Sequence, residues 1–226
     1  MGTVISKSPT LPGPATMSPE PSFAVLPSRA GLVPRLSIPS SESLVPSPMN
    51  ATRTIRDLAG RTVVWRQPSQ LRQEYEMVAG EEIVATLRWR KNVGTTAVAR
   101  SPDGTWTFKA AGFLNPRVTV RLPTSDYDFA VFRARNTGEG ELEAMADQRF
   151  IWRCVNFWQN TWAFFNPQGE RLLQLRAEPS GAKTTGILTI EPKSAQHPEC
   201  GYLVVLGWYL LVLMAGDAAA SQPAGS

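Results

Sequence analysis

One stretch of this chain cannot be left in water: Gly201 to Ala215, Gly-Tyr-Leu-Val-Val-Leu-Gly-Trp-Tyr-Leu-Leu-Val-Leu-Met-Ala. It carries no charge. Helical spacing puts Leu203, Leu206, Leu210 and Leu213 on one face and Val204, Trp208, Leu211 and Ala215 on another. No face remains for solvent, and a helix apolar all round is either buried in a core or crosses a membrane. Fifteen residues rise roughly 22 Å, against a hydrocarbon thickness of about 30 Å. That length is short for a span and suits the inside of a protein. The rest of the chain must then supply a container.

The sequence before the run reads as that container. From Thr52 onward, short apolar segments alternate with turn residues at nearly regular intervals. Ile83, Ala85, Leu87 and Trp89 share one face of a strand, with Val84, Thr86, Arg88 and Arg90 on the other. Val118, Val120 and Leu122 alternate with Arg117, Thr119 and Arg121 in the same way. Ser101-Pro102-Asp103-Gly104 and Asn166-Pro167-Gln168-Gly169 are turns between such segments, and Asp-Gly between alternating runs is a strong hairpin signal. The segments predicted as strands include Tyr127–Arg135, Arg149–Val155, Glu170–Arg176 and Gly186–Glu191. Many short strands at this spacing predict a sandwich or a barrel. A sandwich offers no home for the apolar helix. The expectation is therefore a mainly β protein of about eleven short strands, a closed antiparallel barrel around a buried C-terminal helix.

Domain organisation follows composition. Residues 1–50 contain ten Pro and ten Ser and neither Trp nor Tyr. Pro removes backbone donors and fixes φ, and too little apolar surface is present to offset ordering. The reading is a disordered tail over 1–50, a barrel domain over 51–217 with its helix at 201–215, and a second disordered tail over 218–226. Met17 and Met49 are alternative starts to Met1. No charged segment followed by an apolar one opens the chain, so the expected location is cytoplasmic, with a peripheral position at the membrane as its variant.

At this point a resemblance becomes specific. Tyr75-Glu76-Met77-Val78-Ala79-Gly80-Glu81, the Asp103-Gly104-Thr105-Trp106 hairpin and Leu203-Val204-Val205-Leu206-Gly207-Trp208-Tyr209-Leu210 resemble the tubby C-terminal-like superfamily. That superfamily joins tubby domains, phospholipid scramblases and the LURP-one-related proteins. The likeness covers roughly residues 55–216 and is one of order and architecture. It implies a twelve-stranded barrel around a central hydrophobic helix. No tubby phosphoinositide-binding motif, Cys-rich palmitoylation stretch or acidic calcium loop is recognisable.

Chemistry is sparse. The only histidine, His197, has no Cys/His partner spacing and reads as an exposed loop residue. Cys154 and Cys200 belong to no Cys-x-x-Cys pair and read as reduced, buried, small apolar residues. No nucleophile elbow, phosphate-cradling glycine loop or dinucleotide fingerprint occurs. Glu139, Glu141 and Glu143 alternate as on an exposed strand, and Asp128 reads as solvated. The rings of Phe150, Trp152, Phe157, Trp158, Trp162, Phe164 and Phe165 read as core against the helix, with base stacking as the alternative. These absences predict no catalytic residues, no metal, no cofactor and no small-molecule substrate, and nucleic acid is not expected.

What remains is charge. The chain is +4 overall, with 23 Lys and Arg against 19 Asp and Glu. Arg88 with Arg90, Arg117 with Arg121, Arg133 with Arg135 and Arg149 with Arg153 fall at same-face spacing on their strands. The first six are the candidate anion-binding residues, should their strands be neighbours. The competing reading is an ordinary exterior of Arg–Glu pairs. The function expected is a non-enzymatic binding module for anionic lipid headgroups or a partner protein. The alternative is a scramblase-like protein anchored in a membrane by its C-terminal segment.

Overall fold

The structure, a computed structural model, describes residues 52–91, 94–112, 116–135, 137–180 and 183–220. The tail expected over 1–50 and the last six residues lie outside these. Twelve strands run in chain order: β1 (Thr62–Arg66), β2 (Glu74–Ala79), β3 (Glu82–Trp89), β4 (Thr96–Ser101), β5 (Gly104–Ala111), β6 (Arg117–Arg121), β7 (Ala130–Ala134), β8 (Gly140–Ala144), β9 (Arg149–Cys154), β10 (Thr161–Phe165), β11 (Arg171–Ser180) and β12 (Lys183–Ile190). One helix, α1 (Cys200–Ala220), follows. Each strand pairs antiparallel with the next, and β1 closes on β12 through Val63↔Leu188 and Trp65↔Gly186. The result is a closed barrel with no free edge.

Its filling follows from its size. A barrel of about eight strands is filled by its own side chains, and a wider one needs another occupant. Here α1 is that occupant. Every residue from Cys200 to Leu211 is buried. Inward side chains alternate as period two requires: Val63 and Trp65 on β1, Ala97 and Ala99 on β4, Val118 and Val120 on β6. Trp208 of α1 lies flat on Trp65, with ring centroids 5.4 Å apart and planes 1° from parallel, and meets the edge of Tyr75 at 5.8 Å. Gly186 makes room for this stack. A Cβ there would sit 2.4 Å from the Trp208 ring, a separation real atoms do not reach. Gly207 does the same on the helix, since its Cβ would meet Leu175 at 2.5 Å.

The molecule has two unlike ends. At the capped end the helix begins, and Gly201 packs against Asp103 in the β4–β5 turn. Two short 3₁₀ turns, Arg56–Leu58 and Pro192–Gln196, lie beside one another there, with Ile55 and Leu58 fully buried. Asp103 Oδ2 accepts the Ile55 N–H at 2.6 Å, and Arg56 lies 3.6 Å from Oδ1. At the other, exit end, Tyr209 donates its hydroxyl to the Thr95 carbonyl and accepts the Ala110 N–H at 3.1 Å. There Met214 lies against Gly138 of the β7–β8 turn, and Ala215 to Ala218 emerge into solvent.

Several expectations need correction. The helix runs to Ala220 rather than stopping at 215, because Ala218-Ala219-Ala220 is strongly helix-forming where a tail was expected. β7 starts at Ala130, not Tyr127; Ser125 Oγ accepts the Tyr127 N–H at 3.1 Å and holds that segment in a turn. β11 extends to Ser180, with Pro179 paired to Thr184. Of the seven clustered rings, Phe157 and Trp158 are exposed while the other five are buried. Both cysteines are free, with Cys200 buried but Cys154 only half-buried, its thiol donating to the Asn156 carbonyl at 3.1 Å. His197 is half-buried, 6.4 Å from the Phe150 ring. The buried Tyr202 hydroxyl has no hydrogen-bond partner among the described residues, and the side chain is held by ring contacts to Phe129 and Trp106 instead.

Candidate functional site

Alternation that turns Leu87, Ala99, Phe108 and Val120 inward turns their neighbours outward. The outer wall of β3 to β6 therefore presents Arg88, Thr96, Val98, Arg100, Thr105, Thr107, Lys109, Arg117, Thr119 and Arg121. Register aligns Arg88 with Val98, Thr107 and Arg121 across the four strands. In the next row Thr96 faces Lys109, which faces Thr119, and the Arg90 N–H donates to Thr96 at 2.9 Å. Apart from Glu82 where β3 begins, no acidic residue occurs in these four strands outside the turns. The wall is built of Thr, Arg and Lys around Val98.

The six candidate arginines divide. Arg117 and Arg121 converge on a single carboxylate, Asp128, with Arg117 3.5 Å away, so two positive charges share one negative. Arg133, which faces Arg117 on β7, is bonded to Glu143. That hydrogen bond holds the Glu143 carboxyl below its ordinary range. Arg149, outside the six, reaches Glu141 at 3.5 Å. Arg88, Arg90 and Arg135 form no ion pair among the described residues. Arg90 and Arg135 are exposed; Arg88 is half-buried, its Nε enclosed without a partner and Glu74 facing it on β2. Arg135 lies in the β7–β8 connection at the exit end, beyond the wall. The structure thus joins Arg88, Arg90, Arg117 and Arg121 on one panel and ties Arg133 to an acid beside it.

Arg100 and Lys109 belong to the same panel and were missed. Both are exposed and without an ion pair among the described residues. Each is the only base on its strand, so a search for pairs along one strand passes over them. The Asp103-Gly104 turn held the signal, since it brings β4 and β5 together and puts Arg100 and Lys109 on the same side.

Charge also separates along the barrel axis. Connections at the capped end carry Glu81, Asp103, Asp126, Asp128, Asp147 and Glu170, and its flanking segments add Asp57, Glu191 and Glu199 against Arg53, Arg56, Arg61 and Lys193. At the exit end stand Arg72, Arg90, Lys91 and Arg135 against Glu139 and Asp217. One end is acidic and the other basic.

No group of three or more His, Cys, Asp or Glu suited to a metal ion occurs among the described residues. Comparison with protein-family models, with curated proteins and with solved structures gave no match.

Proposed function

We propose that this domain is a non-catalytic binding module that takes anionic lipid headgroups on the basic panel of β3 to β6. The observation that carries this reading is the outer wall of β3 to β6, whose strands contribute no acid but Glu82 and beside which Arg88, Arg90, Arg100 and Lys109 stand without ion pairs among the described residues. Free guanidinium groups donate paired N–H bonds to phosphate oxygens in bidentate geometry. The interleaved threonines supply hydroxyl donors without adding competing charge. The tubby-like resemblance is part of the same proposal: the architecture agrees with it, while membership and lipid recognition are inferences.

Membrane anchoring through the C-terminal segment is the second reading. Cys200–Ala218 is long and apolar enough for a span by composition. To reach a bilayer it would have to leave the barrel and strip Trp65 and Tyr75 of their packing against Trp208. The burial of Cys200 to Leu211 therefore favours the binding module. A partner protein is the default if lipid fails.

The test is sedimentation with phosphatidylserine-containing and pure phosphatidylcholine vesicles. Basic residues near an anionic surface contribute about 1 kcal/mol each. Arg90→Glu with Lys109→Glu, both exposed, is expected to weaken binding to the anionic vesicles tenfold or more while leaving the barrel folded. Rising salt should weaken it as well, because the screening length falls to about 8 Å at physiological ionic strength. Equal, negligible binding to both vesicles, or an unchanged double variant, retires the lipid reading.

A further inference from the structure

The β9–β10 hairpin closes through residues 155–160 at the exit end. Side-chain hydrogen bonds tie the turn together. Asn156 Oδ1 accepts the Thr161 N–H at 3.1 Å, Asn156 Nδ2 donates to Asn160 at 2.6 Å, and Trp162 Nε1 donates to the Gln159 carbonyl at 3.0 Å. Gln159 completes the turn at φ 54°. This firm frame holds two rings out in solvent: Phe157 is 89% exposed and Trp158 79% exposed, edge to face at 5.5 Å. Leu71, in the β1–β2 connection at the same end, is 88% exposed. Two large rings turned away from a core that has room for five others nearby are not filling the barrel.

Charge decides what they meet. Of the two connections that flank this hairpin, β7–β8 carries Arg135 with Glu139 and β11–β12 ends on Lys183, and the remaining exit-end connections add Arg72, Arg90 and Lys91. The exposed apolar side chains at the capped end, Tyr127 and Met145, stand beside Asp126, Asp128 and Asp147 instead. An anionic surface would attract the first end and repel the second. Trp belongs at such a boundary, with an apolar ring body and one polar N–H. We infer that the exit end docks on an anionic bilayer, with Phe157 and Trp158 entering the boundary between headgroups and acyl chains and the Arg and Lys side chains around that end meeting lipid phosphates. The inference rests on the lipid reading above and adds to the β3–β6 panel a contact at the exit end, with its orientation and its inserting residues.

The full chain is tested as Phe157→Ser with Trp158→Ser, both on the surface, with near-ultraviolet circular dichroism to check that the barrel is intact. Vesicles are phosphatidylcholine with about a third phosphatidylserine, the anionic lipid of cytoplasmic leaflets, with and without brominated acyl chains. The double variant should bind at least tenfold more weakly. Bromine should quench part of the wild-type tryptophan emission, and that quenching should vanish in Trp158→Ser. If wild type binds and the double variant matches it within twofold, the docking face is wrong while the lipid reading survives. No wild-type binding overturns both. A concentration-dependent dimer that the double variant abolishes, without vesicle binding, would make the hairpin a contact between copies of this chain and would also overturn the inference.

Discussion

The two ends of the barrel solve opposite problems. At the capped end the chain folds over the helix start, and Asp103 ties Ile55, Arg56 and Ser101 together behind it. At the exit end Val212, Leu213 and Met214 are only half-buried, and rings and cations face outward. The same uncharged helix runs through both. Position along the barrel, not composition, decides whether its side chains hold the core or reach solvent.

The sharpest way to break this contrast is to place the same charge at each end of the helix. Leu203→Asp puts an unpaired carboxylate at a fully buried position, and no soluble folded protein is expected. Ala218→Asp, at an exposed position, should change stability by less than about 0.5 kcal/mol. Expression and urea unfolding of the pair read both outcomes. If Leu203→Asp yields folded protein, the helix is not the core.

A smaller effect sharpens the account of the cap. Asp103→Ala strands the Ile55 N–H and unpairs Arg56. A buried donor left unsatisfied costs about 1–3 kcal/mol, and the urea midpoint should drop accordingly with the slope unchanged. An unchanged midpoint would mean the cap does not hold the helix start.

The smallest effect is in pH. Burial pushes the Cys200 thiol up to about 12, and burial likewise raises the hydroxyl ionisations of Tyr202 and Tyr209. The negative Asp103 and Glu199 add to the shifts of Cys200 and Tyr202, while for Tyr209 the hydrogen bond from Ala110 opposes it. A group harder to deprotonate when folded favours the folded state fully below its unfolded value. That advantage is then lost as pH rises toward the folded value. Stability should therefore hold up to about pH 9 and decline above it, as these buried groups ionise more readily in the unfolded chain. Cys200→Ala should flatten the first part of that decline. Urea midpoints between neutral and alkaline pH check the sign, and a midpoint that rises with pH would contradict it.

How far the sequence carries differs by region. The helix was legible because fifteen uncharged residues leave no polar face, and the β4–β5 and β10–β11 hairpins because Asp-Gly and Asn-Pro-Gln-Gly have few other uses. The Phe157-Trp158 tip was not. Aromatic density normally signals core, and only the flanking Asn156 and Asn160, whose side chains close the turn, mark this segment as a hairpin tip. Pairing among the arginines was hidden for another reason. Asp128 sits on the approach to β7 and reaches back to β6, a contact between strands that spacing along one strand cannot reveal. Arg100 and Lys109 fell to the same blind spot.

Closure of β1 on β12, with the helix following both, fixes an order of events during synthesis. The first strand leaves the ribosome at residues 62–66 and must wait for a partner at 183–190. The side chain that stacks on Trp65 arrives later still, with Trp208. Until then, twelve strands carry apolar inner faces and have nothing to close around. Long-range pairing of this kind is slow and leaves strand edges exposed to other chains. A nascent chain of this protein is therefore most vulnerable just before α1 emerges, and a deletion of α1 alone takes away the one element on which all the strands converge.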